Sequence, residues 1–155
     1  MIWLVIILGI GLDQLTKWLV VNNLPYQSPI PIIGDFFSLK YIQNEGAAWS
    51  ILSGKVDFLI IVTAIVMVII AVLLFKTPKE DKLMRFSFAL VLAGGIGNLI
   101  DRIVLGYVVD FLAFPNFPVF NIADCCVTVG IFLIIIFTIL DIKKESDQKK
   151  QSAKK

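Results

Sequence analysis

The sequence predicts an all-α integral membrane protein: four transmembrane helices with a small extracytoplasmic β-containing loop and an interfacial segment. Three observations carry that reading. The 155 residues are 58% apolar and 17% charged, against about 45–50% and 25% in soluble domains, so lipid must be the main solvent. Four segments are long and apolar enough to cross ~30 Å of hydrocarbon. The basic residues gather in alternate loops.

The spans run over about 2–21, 58–75, 86–105 and 120–140. Phe58–Phe75 is the plainest, eighteen residues in which Thr63 is the only polar side chain. The first segment is apolar to Leu12 and then carries Asp13, Gln14, Thr16 and Lys17. A cleaved signal peptide would need a basic start and a small-residue cleavage site. Met1-Ile2-Trp3 has no charge and Asn22-Asn23-Leu24-Pro25 offers no such site, so the segment is read as a span. The third is clean until Asn98, Asp101 and Arg102, and the fourth carries Asn121, Asp124 and Thr128 near its start.

The connection Lys76–Arg85 holds four basic residues and the tail after Leu140 six, whereas Asn22–Asp57 holds only Lys40 and Lys55 and Gly106–Val119 none. Both termini are therefore expected to be cytoplasmic and the other two loops to face outward. Residues 1–142 then form one membrane domain, and 143–155 a basic cytoplasmic tail, disordered or lipid-facing. Within the outer loop, Phe36–Ile42 has the aromatic and β-branched content of a strand after the punctuation of Pro25, Pro29, Pro31 and Gly34. Gly46–Leu52 reads as an amphipathic interfacial segment anchored by Trp49.

The chain has no histidine and a net charge of +2. Ser-His-Asp and Cys-His nucleophiles, an HExxH zinc site and His-ligated haem are excluded, and nothing global suggests a nucleic-acid partner. Adjacent Cys125 and Cys126 make neither a disulfide framework nor a zinc cage, and read as small buried hydrophobes. Chemistry is left to carboxylates, Ser, Lys, Arg and Asn. Ionisable groups within spans are costly and mark functional candidates. Asp13 and Lys17, spaced i,i+4, are first of all a structural ion pair. Asn98 and Arg102 suit loop carbonyls and carboxylates, and Gly94, Gly95 and Gly97 close helix packing. Asp110 and Asp124 lack a cation at helical spacing, and two carboxylates in a low-dielectric site would share one proton, as aspartic proteases use to activate water. On the residues alone that pair stands between catalytic and structural roles. A small ion- or proton-coupled transporter is the alternative, but its polar groups would lie at mid-depth on several helices. A Ser-Lys protease at Ser50 would need a lysine that Asp13 does not already match. Gly106-Tyr107-Val108-Val109-Asp110 lacks the GxGD of presenilin-type proteases.

The series Asp13-Gln14-Leu15-Thr16-Lys17, Asn44-Glu45-Gly46-Ala47-Ala48-Trp49, Gly94-Gly95-Ile96-Gly97-Asn98-Leu99-Ile100-Asp101-Arg102, Val109-Asp110-Phe111 and Phe120-Asn121-Ile122-Ala123-Asp124 resembles the motif series of the lipoprotein signal peptidases, or signal peptidase II, over nearly the whole chain. The resemblance implies an intramembrane aspartic endopeptidase of the bacterial cytoplasmic membrane, acting toward the extracytoplasmic face without metal or other cofactor. It implies cleavage of prolipoproteins just before a diacylglyceryl-modified cysteine. It places the catalytic pair on Asp110 and Asp124, with supporting positions at Asp13, Lys17, Asn44, Gly46, Asn98, Arg102 and Asn121. Lipidated prolipoproteins and membrane lipid are the expected partners, and the enzyme is expected as a monomer. Cys125 departs from the serine frequent in the family, and the usual basic residues before the first span are missing.

Overall fold

The computed structural model describes residues 2–46 and 52–152. Helix α1 spans Ile2–Asn23, α2 Val56–Lys76, α3 Lys82–Leu105 and α4 Ile122–Ser152, with strands β1 Ile30–Ile33, β2 Phe37–Asn44 and β3 Val108–Ala113. All four helices are long and apolar enough to cross a membrane. Their outer faces are apolar: Ile7 is 64% and Phe75 66% exposed within the chain, surface that only lipid solvates well.

Helix α3 is the centre of the bundle and packs on α1, α2 and α4. Close approach there depends on missing side chains. A Cβ on Gly94 would run into the carbonyl oxygen of Ala123, and one on Gly97 would lie 2.6 Å from Asp13 Oδ2. These glycines let α4 and α1 lie against α3 at near-backbone distance, as the sequence reading expects. One apolar cluster, Ile6, Leu74, Phe88, Ala89 and Leu92, fills the end of the bundle remote from the sheet. There Arg85 Nη1 donates to the carbonyls of Leu74 (3.0 Å) and Thr77 (2.8 Å), satisfying the end of α2, and Asp81 caps α3 by accepting from Met84 N–H.

At the other end the strands form an antiparallel sheet in the order β1-β2-β3. Gly106, at φ +80°, ends α3 in the left-handed conformation and turns the chain into β3. Val109 and Phe111 of β3 meet Val20 of α1 and Tyr41 of β2 in a second buried cluster. The sheet is thereby anchored on the helix ends.

The expected strand at Phe36–Ile42 is β2, two residues longer at its end. Two other strands differ from the sequence reading. β1 contains Pro31, which has no N–H, and an outer strand tolerates that loss. β3 lies in an apolar run that reads equally as chain re-entering the membrane; pairing with β2 decides otherwise. Over its described residues the tail is helical rather than disordered, since α4 continues to Ser152. The interfacial segment with Trp49 falls outside the described residues, apart from its ends at Gly46 and Leu52.

Gly94→Val should therefore destabilise the fold by about 1–3 kcal/mol through overpacking against immovable backbone. Gly11→Ala, where a Cβ meets nothing within 4 Å, should leave the unfolding midpoint in detergent unchanged. Equal stability of the two variants would contradict this account of the α3–α4 contact.

Candidate active site

The sheet, α3 and the start of α4 enclose a cavity of about 510 Å³. Its polar side is Asn44, Asn98, Arg102, Asp110 and Asp124, and its apolar side includes Val108, Phe117, Val119, Phe120 and Val127. Asp110 comes from β3 and is 2% exposed. Asp124 is in the first turn of α4 and half-buried on the cavity wall.

Asn121 joins the two. It precedes the first residue of α4, and its Oδ1 accepts from Asp124 N–H (2.9 Å) while Asp124 Oδ2 accepts from Asn121 N–H (3.2 Å). This is a reciprocal capping box, which fixes the Asp124 rotamer as it starts the helix. The same asparagine donates through Nδ2 to Asp110 Oδ1 at 2.7 Å. Asp110 Oδ2 accepts from Asn44 Nδ2 at 2.9 Å, and Asp124 Oδ1 from Asn98 Nδ2 at 2.7 Å. The hydrogen bonds to Asp110 thus come from neutral amides, and those to Asp124 from an amide and a backbone N–H.

Behind the cavity lies Lys17, 3% exposed. Its ammonium is 2.9 Å from Asp13 Oδ2, 2.9 Å from Asp101 Oδ2 and donates to Asn98 Oδ1 at 2.9 Å. The expected Asp13–Lys17 pair is there, and it is part of something larger. Asp13 Oδ1 accepts from Ala123 N–H (2.9 Å), one of the unpaired donors of the first turn of α4. Asp101 Oδ2 accepts from Val109 N–H (3.0 Å), and Gln14 Nε2 donates to Asp101 Oδ1 (2.9 Å). Arg102 Nη2 donates to the Gly46 carbonyl at 3.0 Å, and Gly46 N–H to Asn44 Oδ1 at 2.9 Å. Arg102 Nε is buried without a hydrogen-bond partner among the described residues.

All nine residues singled out in the sequence therefore converge. Asp101 and Gln14, noted in the sequence as polar residues within spans, were given no role at the site. Their signal was present, a carboxylate and an amide inside spans, but Asp101 is partnered by a lysine on another helix and a backbone N–H, and Gln14 by Asp101 and the Gly97 carbonyl, which no spacing rule reveals. Cys125 and Cys126 are half-buried rather than buried, and Cys125 lines the cavity.

Burial foremost, and then the charge of Asp124, push the Asp110 carboxyl up to about 7, against the opposing pull of Asn44, Asn121 and Lys17. A carboxyl of that acidity is partly protonated near neutral pH, and it faces a second carboxylate lining the same cavity. Among the described residues, no group of three His, Cys, Asp or Glu side chains is placed to hold a metal ion.

The profile of the family described as Signal peptidase (SPase) II matches residues 5–140. A lipoprotein signal peptidase of Enterococcus faecalis is 45% identical over 149 residues, 95% of this chain and 92% of that protein. Another from Clostridium acetobutylicum is 45% identical over 148 residues, 92% of this chain and 96% of its own. A solved bacterial membrane enzyme, determined by the in meso method at 2.3 Å, superposes with a TM-score of 0.88 at 34% identity, covering 92% of this chain and 90% of that one. The transporter alternative finds no support among these relatives. The chain belongs to the signal peptidase II family and is an aspartic peptidase of the membrane.

Proposed function

We propose that Asp110 and Asp124 are the catalytic pair of this peptidase, and that it removes signal peptides from prolipoproteins by cutting before a diacylglyceryl-modified cysteine. The observation that carries the reading is the single asparagine, Asn121, that donates to both carboxylates in one cavity, through Nδ2 to Asp110 and through its backbone N–H to Asp124. One carboxylate takes a proton from a water as that water attacks the scissile carbonyl. The other, protonated, polarises the carbonyl oxygen and then helps protonate the leaving amine. No covalent intermediate forms. The amides of Asn44, Asn98 and Asn121 hold the two acids in their rotamers, and the Arg102–Gly46 contact ties the end of β2 to α3. The apolar wall offers surface for acyl chains, whose burial supplies ~0.8 kcal/mol per methylene.

The clustering of lysine and arginine in the α2–α3 connection and the tail supports cytoplasmic termini. That orientation puts the sheet and the acid pair toward the extracytoplasmic face, where a monomer in the bacterial cytoplasmic membrane meets its lipidated substrates.

Asp110→Asn and Asp124→Asn should each reduce cleavage of a lipidated prolipoprotein peptide to below about a tenth of wild type, with folding intact by thermal melt. A folded variant above that level removes its residue from the pair. Activity should persist in EDTA, and loss there would contradict metal-free hydrolysis. Because the mechanism needs one shared proton, kcat should fall as pH rises through about 7, the value for Asp110. A rate that keeps rising to pH 9 would break the shared-proton account. Peptide lacking the diacylglyceryl group should be cut about 100-fold more slowly, the equivalent of ~2.7 kcal/mol of transition-state binding. Equal rates would refute the lipoprotein assignment while leaving the acid pair standing.

A further inference from the structure

Asp101 does not line the catalytic cavity. It borders a second one, about 220 Å³, between α1, α3 and β3. It is 3% exposed and both oxygens are engaged, Oδ1 by Gln14 and Oδ2 by Lys17 (2.9 Å) and Val109 N–H (3.0 Å). Val109 immediately precedes Asp110, on the outer strand β3, and its carbonyl is taken by Asn121 Nδ2 at 3.3 Å. On that side Phe120 bridges Phe111 and Leu112, whereas the backbone N–H and carbonyl of Val109 are taken by two side chains, Asp101 and Asn121. Asp13 stands in the same relation to the other acid. Its Oδ2 meets Lys17, and its Oδ1 accepts from the N–H of Ala123, which immediately precedes Asp124.

We propose that Asp101 is a positioning residue of the reaction and the counterpart of Asp13: bridged by Lys17, the two carboxylates clamp the peptide N–H preceding each catalytic aspartate and so set the separation of the catalytic carboxyls. The inference rests on the assignment of Asp110 and Asp124. The clamp acts on the backbone of β3 and the start of α4, and leaves untouched the apolar wall that takes the lipid. Its loss therefore falls on kcat, because misplacement of reacting groups slows the bound complex.

The charged groups facing Asp110 are Asp124 from α4, Lys17 from α1 and Arg102 from α3, with Lys17 itself paired to Asp13 and Asp101, while β2 contributes the neutral Asn44. Loosening the clamp moves the Asp124 charge away and relieves Lys17 of one carboxylate. Both changes favour ionised Asp110, so the alkaline limb of the rate profile moves to lower pH.

The test compares Asp101→Ala with Asp101→Asn in full-length enzyme, using a diacylglyceryl prolipoprotein peptide in detergent micelles. Asn retains an acceptor for Val109 N–H. The alanine variant should lose about 30-fold in kcat with KM within about threefold. The asparagine variant should recover to within about tenfold of wild type. Both should show the alkaline limb at lower pH. If the alanine variant does not fold, the asparagine variant's lowered kcat, unchanged KM and displaced limb carry the test. Wild-type kcat in a folded variant, a loss confined to KM, or a lowered kcat with the limb unmoved overturns the clamp. Active Asp110→Asn or Asp124→Asn enzyme would instead overturn the catalytic assignment beneath it.

Discussion

A lysine ammonium buried 3% exposed among helices is the constraint on which the site depends. Removing an ammonium from water costs several kcal/mol even after relaxation, and only complete pairing offsets that. Lys17 has three N–H donors and three partners, Asp13, Asp101 and Asn98, each at 2.9 Å. Each partner then passes the constraint on: Asp13 to the first turn of α4, Asp101 to β3, and Asn98 to Asp124 itself. Three elements distant in sequence are thus held to one point on α1. Removing one partner of such a buried group costs about 3–5 kcal/mol, since the remaining charge is left without compensation.

The same low-dielectric surroundings give the two acids proposed as the catalytic pair their character. Lys17 is matched by two carboxylates and reaches Asp124 through the amide of Asn98, and among the described residues no cation bonds directly to Asp110. Asp110 is held by amide donors, which orient a carboxyl without committing it to the ionised form as an arginine fork would. Asn121 does double duty because it is a helix cap. The capping box that starts α4 aims Asp124, and the remaining amide group reaches Asp110. Fold and the proposed chemistry share one residue there.

Much of this was legible in the sequence, for a physical reason. Lipid permits only long apolar helices, so the four spans stand out, and it penalises polar groups, so Asp13, Lys17, Asn98, Arg102, Asn121 and Asp124 stand out within them. What stayed hidden was β-structure and backbone pairing. The run before and after Asp110 is apolar on every position, and that pattern does not separate a buried strand from a segment re-entering the membrane. Pro31 argued against a strand that exists because it is an outer one. Asp101 was visible as a polar residue in a span, yet its role depends on the N–H of Val109, and a hydrogen bond to backbone leaves no mark on the partner's side chain. The lysine-rich tail suggested disorder because of its charge, whereas α4 continues through it to Ser152.

The central claim is that two enclosed carboxyls share one proton near neutral pH. Infrared spectroscopy of protein carrying isotope-labelled aspartate measures this directly through the C=O stretch of a protonated carboxyl. The account predicts one such band that disappears with a midpoint near 7 and is missing from Asp110→Asn at neutral pH. Contradiction would be the loss of every protonated aspartate band by about pH 5, as carboxyls of ordinary acidity near 4 require.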